Sequence, residues 1–219
     1  MREQEGVRTG LRGHLSVARL GEARRGSGQG LVEFALVLPI FMVLLIGIIE
    51  FAFVFNASLG LNFATRSASL VAAEEGNLLG ADCAIIDAVQ RSIGSPMVLL
   101  PGDTVTISKA DRNGNLVAGK NDVWDYSPTL HSCTTPTDTY SVHFTPRAPG
   151  YPATGVEDNS GRCDILQGCG PTTPLDSISV SVTYHYNYHT PLGNFLALPG
   201  WGTGFDLTWS NVMRLEPNL

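Results

Sequence analysis

The sequence predicts an α+β protein, in which a long N-terminal transmembrane helix continues into an extracytoplasmic domain with a small antiparallel sheet. Three observations lead to this prediction. One dense apolar block lies close to the N-terminus. After Asp103 the pattern changes to a two-residue alternation, which is typical of strands. All four cysteines, Cys83, Cys133, Cys163 and Cys169, follow the apolar block.

The apolar block is long enough to cross a bilayer once. Residues 34–49 carry no charge, and further apolar residues follow the interruption at Glu50. Because ~20 helical residues span a hydrocarbon core of ~30 Å, we expect the span at about residues 34–55, with Glu50 near the far interface or facing protein. A buried core helix would keep a polar stripe. A cleaved signal peptide would end in a loop near Ala57, whereas helical character continues to Glu75.

Charge is distributed unevenly on the two sides of this block. Residues 1–28 contain six arginines and three glutamates, a net charge of +3, whereas residues 29–219 carry a net charge of −9. The positive-inside rule therefore predicts a single-pass protein of the cell membrane, with a cytoplasmic N-terminus and an extracytoplasmic C-terminal domain. The acidic body lacks the clustered basic face of nucleic-acid-binding proteins, so no nucleic acid partner is expected.

The cysteines indicate disulfide bonds in an oxidising space. Four cysteines allow three pairings, and the one we favour joins Cys83 to Cys133 and Cys163 to Cys169. Zinc is the alternative, but the sequence contains no CxxC motif and no Cys/His pair at zinc-finger spacing.

A specific pattern precedes the apolar helix. Gly28 and Gln29 are followed at short distance by Glu33 and Phe34. The pattern resembles the processing site of type IV prepilins of the Flp/Tad subclass, with Gly at −1, Glu at +5 and an aromatic residue at +6. The whole run GQGLVEFALVLPIFMVLLIGIIEF is similar to the opening of TadE-like proteins.

This resemblance implies a minor pseudopilin of a Tad-type secretion system, with a structural or assembly role in Flp pilus biogenesis and adhesion. A prepilin peptidase would cleave between Gly28 and Gln29, because a glycine lets the backbone approach the enzyme closely. Glu33 would pair with the N-terminal ammonium of a neighbouring subunit; its alternative role is to mark the interface by snorkelling. The implied partners are the membrane, the major Flp pilin, TadF-like subunits and the inner-membrane assembly platform.

The rest of the chain predicts a short helix and the strands of the sheet. Apolar spacing predicts the helix at residues 81–93, and alternation predicts strands from Asp103 and at residues 140–144, 177–188 and 204–214. The last two strands should pair antiparallel, and they are also similar to the way TadE-like proteins end.

Three segments follow from these patterns. Residues 1–28 form a basic cytoplasmic leader, residues 29–75 a membrane and stem helix, and residues 76–219 an extracytoplasmic domain. Within that domain, Asn113-Gly114 predicts a hairpin turn, and residues 120–174 are predicted to be a loop-rich insertion.

No arrangement of residues predicts catalysis, and we expect neither an enzyme nor a cofactor. His185 and His189 would share one face of a strand, which makes them the metal candidates of a rival membrane-tethered metallohydrolase; two solvent-facing histidines are the simpler interpretation. Asp111 begins a pattern like that of a calcium loop, but Leu116 stands where an EF-hand requires glycine. A further alternative is an uncleaved membrane anchor that carries an extracytoplasmic binding or adhesion module.

Overall fold

The computed structural model confirms the α+β class: two helices and a five-stranded antiparallel sheet lie in the part of the chain that it describes. The described residues are 26–76, 78, 80–94, 97–111, 113–135, 138–147, 177–191 and 204–215. By contacts the chain divides into two units, residues 1–44 and residues 45–219.

Helix α1 runs from Gly26 to Glu75 and includes Pro39. Its first half consists almost entirely of apolar residues that no other part of the described chain covers. Its second half presents a stripe of small and apolar residues to the core at helical spacing, while the opposite side is exposed. The helix ends at Gly76, whose φ of 56° favours glycine. The core stripe consists of Ala57, Leu61, Ala64, Ala68 and Ala72.

Polar residues within this buried stripe are satisfied locally. The Thr65 hydroxyl donates to the carbonyl of Leu61 at 3.0 Å. The Ser69 hydroxyl lies 2.8 Å from the Thr65 carbonyl and 3.2 Å from the carbonyl of Asn211 in the sheet. Because each hydroxyl keeps an acceptor, their burial does not carry the cost of an unpaired polar group.

Helix α2, Ala81–Ser92, follows α1 after a short connection. It starts after Gly80, which has a φ of 77°, and a Cβ at this position would lie 2.6 Å from the carbonyl oxygen of Thr134. Both the backbone angle and the close approach therefore require glycine. Ile85, Ile86 and Val89 of α2 are fully buried.

The sheet has the strand order β3-β2-β1-β4-β5, and each neighbouring pair is antiparallel. The strands are β1 Thr104–Ala110, β2 Leu116–Thr134, β3 Thr139–Pro146, β4 Ser177–Asn187 and β5 Gly204–Arg214. One face is apolar and forms the core with α1 and α2. Along β4 this face carries Ile178, Val180, Val182, Tyr184 and Tyr186, as the alternation predicts.

The predicted hairpin turn and the predicted pairing of the last two strands are confirmed, whereas the predicted start of the loop-rich insertion is wrong. The hairpin at Asn113-Gly114 joins β1 to β2, and β4 pairs with β5 through the full length of both strands. However, β2 extends from Leu116 to Thr134, where a loop-rich insertion was expected from residue 120. Its exposed and polar residues hide the alternation from the sequence. The remainder of the expected insertion, residues 148–174, lies outside the described residues.

Candidate functional site

The residues predicted for processing and assembly lie on the first turns of α1. Gly28 and Gln29 are exposed, as are Glu33 and Phe34, one turn further on. The Gln29 side-chain amide donates to the Glu33 carboxylate at 3.3 Å. A Cβ at Gly28 would meet nothing within 4 Å, so packing within the described chain does not explain the glycine.

The apolar run after Glu33 is exposed along almost its whole length. Residues 34–49 carry no charge, and Ile40, Leu44 and Ile48 are between 55% and 67% exposed. From residue 31 to residue 49 the helix extends roughly 28 Å, which matches the hydrocarbon core of a bilayer. Among the described helices, α1 is the one that is long and apolar enough to cross a membrane. These properties indicate single-pass membrane anchoring.

Glu50 interrupts this exposed run and is itself buried, with 6% of its surface exposed. One carboxylate oxygen accepts the Tyr186 hydroxyl at 2.5 Å and the backbone N–H of His189 at 3.1 Å. The other oxygen accepts the backbone N–H of Thr190 at 2.8 Å. A buried carboxylate needs such donors to offset the loss of water. Glu50 therefore joins α1 to the end of β4.

The sequence alone did not reveal this site completely. It predicted that Glu50 lies near an interface or faces protein, but the donors come from a segment that is more than 130 residues away along the chain. The relevant signal is a carboxylate inside an apolar run, which must find a partner. Nothing in the local sequence identifies which hydroxyl and which backbone groups provide it.

Tyr186 and His189, which bond to Glu50, belong to a group of aromatic rings in contact with one another. The ring of His189 stacks on Phe53 with centroids 4.9 Å apart, and its Nδ1 lies 3.2 Å from the Tyr186 hydroxyl. Tyr188 and Phe205 extend this group. The ring centroids of Tyr188 and Tyr186 are 6.3 Å apart, and those of Phe205 and Tyr188 are 6.1 Å apart. Burial raises the pKa of Tyr186, and the hydrogen bond to Glu50 and its negative charge raise it further. We call Phe53, Tyr186, Tyr188, His189 and Phe205 the aromatic cluster.

A second buried carboxylate, that of Asp103, lies at the start of β1. It accepts the backbone N–H groups of Leu100 and His185, both at 2.7 Å. Burial raises its pKa, although both hydrogen bonds act in the opposite direction. Asp103 therefore holds the segment before β1 against the end of β4. This is the same end of the sheet that contacts Glu50.

The two histidines do not form the metal pair of the rival metallohydrolase hypothesis. His185 lies on the opposite face of β4 from Tyr186, and its Nδ1 is 2.7 Å from the Asp206 carboxylate. β4 ends at Asn187, so His189 leaves the strand pattern and contacts Tyr186 instead. Among the described residues no group of three or more potential ligands could hold a metal ion.

The calcium-like pattern at residue 111 forms a turn. The Asp111 carboxylate accepts the backbone N–H groups of Asn113 and Asn115 at 2.8 and 2.9 Å. The pKa of Asp111 is lowered, mainly by the hydrogen bonds that it accepts from the side chain and the backbone of Asn115. The aspartate therefore has a structural role in the β1–β2 hairpin.

The predicted pairing of Cys83 with Cys133 is confirmed. The two Cα atoms are 5.6 Å apart, and the disulfide joins α2 to the end of β2. Both half-cystines are fully buried. Cys163 and Cys169 lie outside the described residues.

A cleft of about 330 Å³ lies between the end of α1, α2 and β3. Its walls carry Glu74, Glu75 and Asp87, and Arg91 pairs with Asp87 at 2.7 Å. Burial raises the pKa of Glu75, and the negative charges of Asp138 and Glu74 raise it further. The interactions described in this cleft are an ion pair and repulsion between carboxylates, and they give no indication of catalysis.

The comparison with known families bears on α1. The family model of TadE-like proteins matches residues 28–69. This part of the chain is TadE-like. The match begins at the predicted processing site and covers the exposed apolar run and most of the core stripe, and it confirms the resemblance seen in the sequence. No curated protein and no solved structure matches the chain.

Proposed function

We propose that this chain is a TadE-like minor pseudopilin with a structural role in the assembly of a Tad-type Flp pilus, and that a prepilin peptidase cleaves it after Gly28. The observation that carries the proposal is that the TadE-like match begins at Gly28 and includes the whole exposed apolar half of α1. Its partners would be the peptidase, the major Flp pilin, TadF-like subunits and the inner-membrane assembly platform.

The glycines at the start of α1 support cleavage at this place. Gly26, Gly28 and Gly30 lie in its first turns, and glycine favours the helix less than any other residue except proline. A peptidase must bind its substrate in an extended form, and a glycine-rich turn opens at low cost. Because a Cβ at Gly28 or Gly30 would meet nothing within 4 Å, access by an enzyme explains Gly28 better than packing does.

The same segment supports a role for Glu33 in assembly. Cleavage would make Gln29 the new N-terminus, one turn before Glu33. A carboxylate at the edge of the hydrocarbon core is costly unless it is paired. Pairing of Glu33 with the N-terminal ammonium of a neighbouring subunit would remove this cost and fix the two helices in register.

The burial pattern also supports a revised membrane span. Glu50 and the partly buried Phe53 and Val54 pack on the core of the protein, so these residues are not available to lipid chains. We therefore place the span at about residues 31–49 rather than 34–55. Residues 1–28 would be the cytoplasmic leader, and the domain after Glu50 would lie outside the cytoplasm.

The test is to express the full chain in membranes with and without a prepilin peptidase and to measure its intact mass. We expect the peptidase to remove residues 1–28 and leave Gln29 as the N-terminus. Gly28→Leu should prevent cleavage, whereas the matched control Gly30→Leu, at an equally open position, should still be cleaved. An unchanged mass, or a different N-terminus, would favour the uncleaved anchor with a binding or adhesion module.

A further inference from the structure

The aromatic cluster begins where the exposed apolar run of α1 ends. Ile48 and Ile49 are 58% and 48% exposed, and the next residue is the buried Glu50. At a rise of roughly 1.5 Å per residue, these two side chains lie within one turn of the carboxylate. Since Glu50 contacts Tyr186 and His189 directly, the cluster lies at the level where α1 leaves the hydrocarbon core.

The chemistry of the cluster suits the headgroup region of a bilayer. Phe205 is 38% exposed, His189 is exposed and Tyr188 is partly exposed, whereas Tyr186 is buried and Phe53 packs on the core. Phe51, directly after Glu50, is 70% exposed. Tyrosine and other rings with a polar edge favour this zone, because their apolar faces contact the first carbons of the lipid while their polar atoms remain hydrated.

The Glu50 network makes contact with lipid tolerable at this level. A bare carboxylate beside acyl chains would be expensive, but the carboxylate of Glu50 accepts three hydrogen bonds and is buried. The nearest acidic neighbour in β5, Asp206, pairs with His185 on the other face of the sheet. The ring surface itself therefore carries no exposed carboxylate among its described members.

We propose that the accessible rings at this level, those of Phe51, Tyr188, His189 and Phe205, form a lipid-contacting surface that lies in the headgroup region of the outer leaflet. The domain after Glu50 would then rest directly on the bilayer, with no linker between the membrane span and the folded core. The proposal rests on membrane anchoring by α1, and it is independent of cleavage after Gly28.

The experiment measures depth in the bilayer at single positions of the full-length protein. In one variant a keto amino acid replaces Tyr188 and carries a nitroxide label, so that all cysteines stay unchanged. In a second variant Phe205 is replaced and labelled in the same way, in case the first replacement perturbs folding. Both proteins are reconstituted into discs of phosphatidylcholine and phosphatidylglycerol. Collision rates of the nitroxide with oxygen and with a water-soluble nickel chelate report the depth.

Two further labels calibrate the result. Phe41 lies within the predicted span, and Leu116, 63% exposed, lies at the opposite end of the sheet. We expect the oxygen-to-nickel ratio at residues 188 and 205 to be several-fold above that at residue 116 and below that at residue 41. Ratios equal to that at residue 116 would overturn the lipid surface and favour a protein partner. If residue 41 also reported water, anchoring by α1 would be wrong as well.

Discussion

At the scale of single residues, Glu50 has two roles that usually exclude each other. It interrupts an apolar run of the sequence, and it is the acceptor that joins α1 to the end of β4 and the segment after it. A charged group in this place is stable only because its donors are fixed by the fold. Removal of the carboxylate leaves the Tyr186 hydroxyl and two backbone N–H groups without their acceptor, so the damage exceeds the loss of one bond.

We expect Glu50→Ala to lower the free energy of unfolding by about 3 kcal/mol, since buried donors then lose a charged acceptor. Thermal unfolding in detergent, followed by near-ultraviolet circular dichroism, measures the change. Glu74→Ala is the matched control, because Glu74 is an exposed glutamate on the same helix. Equal stability of the two variants would contradict the role of Glu50.

Glu75 gives a prediction about pH. Its pKa is raised in the folded protein by burial and by the charges of Asp138 and Glu74. Below the ordinary pKa of a glutamate, about 4.3, the group is protonated in both states and has no effect. As the pH rises from there through the raised pKa, the folded protein must accept an unfavourable charge, so stability falls.

Glu75→Gln should therefore raise the melting temperature at pH 7 and leave it nearly unchanged near pH 4. The gain should stay below about 0.5 kcal/mol, because water screens a partly exposed carboxylate, and it should shrink in high salt. A gain of the same size at both pH values would show that the charge is not its cause.

At the scale of helices and strands, the disulfide compensates for a weak contact. α2 is short and lies between two irregular connections, so its packing against the sheet depends on a few apolar side chains. The bond between Cys83 and Cys133 holds its first turn against the end of β2 and closes a loop of 50 residues. Cross-links that close long loops remove much of the entropy of the unfolded chain.

The double variant Cys83→Ala/Cys133→Ala should lose about 2–4 kcal/mol of stability. Chemical denaturation of the oxidised protein and of this variant measures the difference. Full reduction of the unaltered protein should produce a loss at least as large. A variant as stable as the oxidised protein would mean that the packing of α2 does not depend on the cross-link.

At the scale of the whole molecule, α1 serves two environments with one continuous helix. Its first half is apolar around its circumference, and its second half is apolar on the side that faces the core. The two halves also contain similar exposed leucines, for example Leu44 and Leu59, which are 55% and 56% exposed. Their surroundings should differ completely if the membrane span ends before Glu50.

Leu44→Arg and Leu59→Arg test this difference. An arginine in the middle of a membrane span costs roughly 3 kcal/mol of insertion free energy, so Leu44→Arg should lower the fraction of protein that resists alkaline extraction from membranes. Leu59→Arg should leave that fraction unchanged, because residue 59 would lie in water. Equal loss from both variants would contradict the proposed end of the span.

Much of this architecture could be predicted from the sequence because its signals are local. The apolar block of α1, the alternation of β4 and the turn at Asn113-Gly114 each depend on neighbouring residues. The course of β2 could not be predicted, because a largely exposed strand need not alternate. The partners of Glu50 could not be predicted either, because they come together only when the sheet closes against α1.

The disulfide also has a mechanical consequence. In the proposed role as a pilus subunit the chain would bear tension along its length, and the 50-residue loop between Cys83 and Cys133 contains all of β1 and most of β2. Pulling on the two ends of the chain cannot extend this loop, which withholds on the order of 170 Å of contour length at ~3.4 Å per residue. Under load the protein would lengthen through other segments first, and the centre of its sheet would remain available to refold when the tension is released.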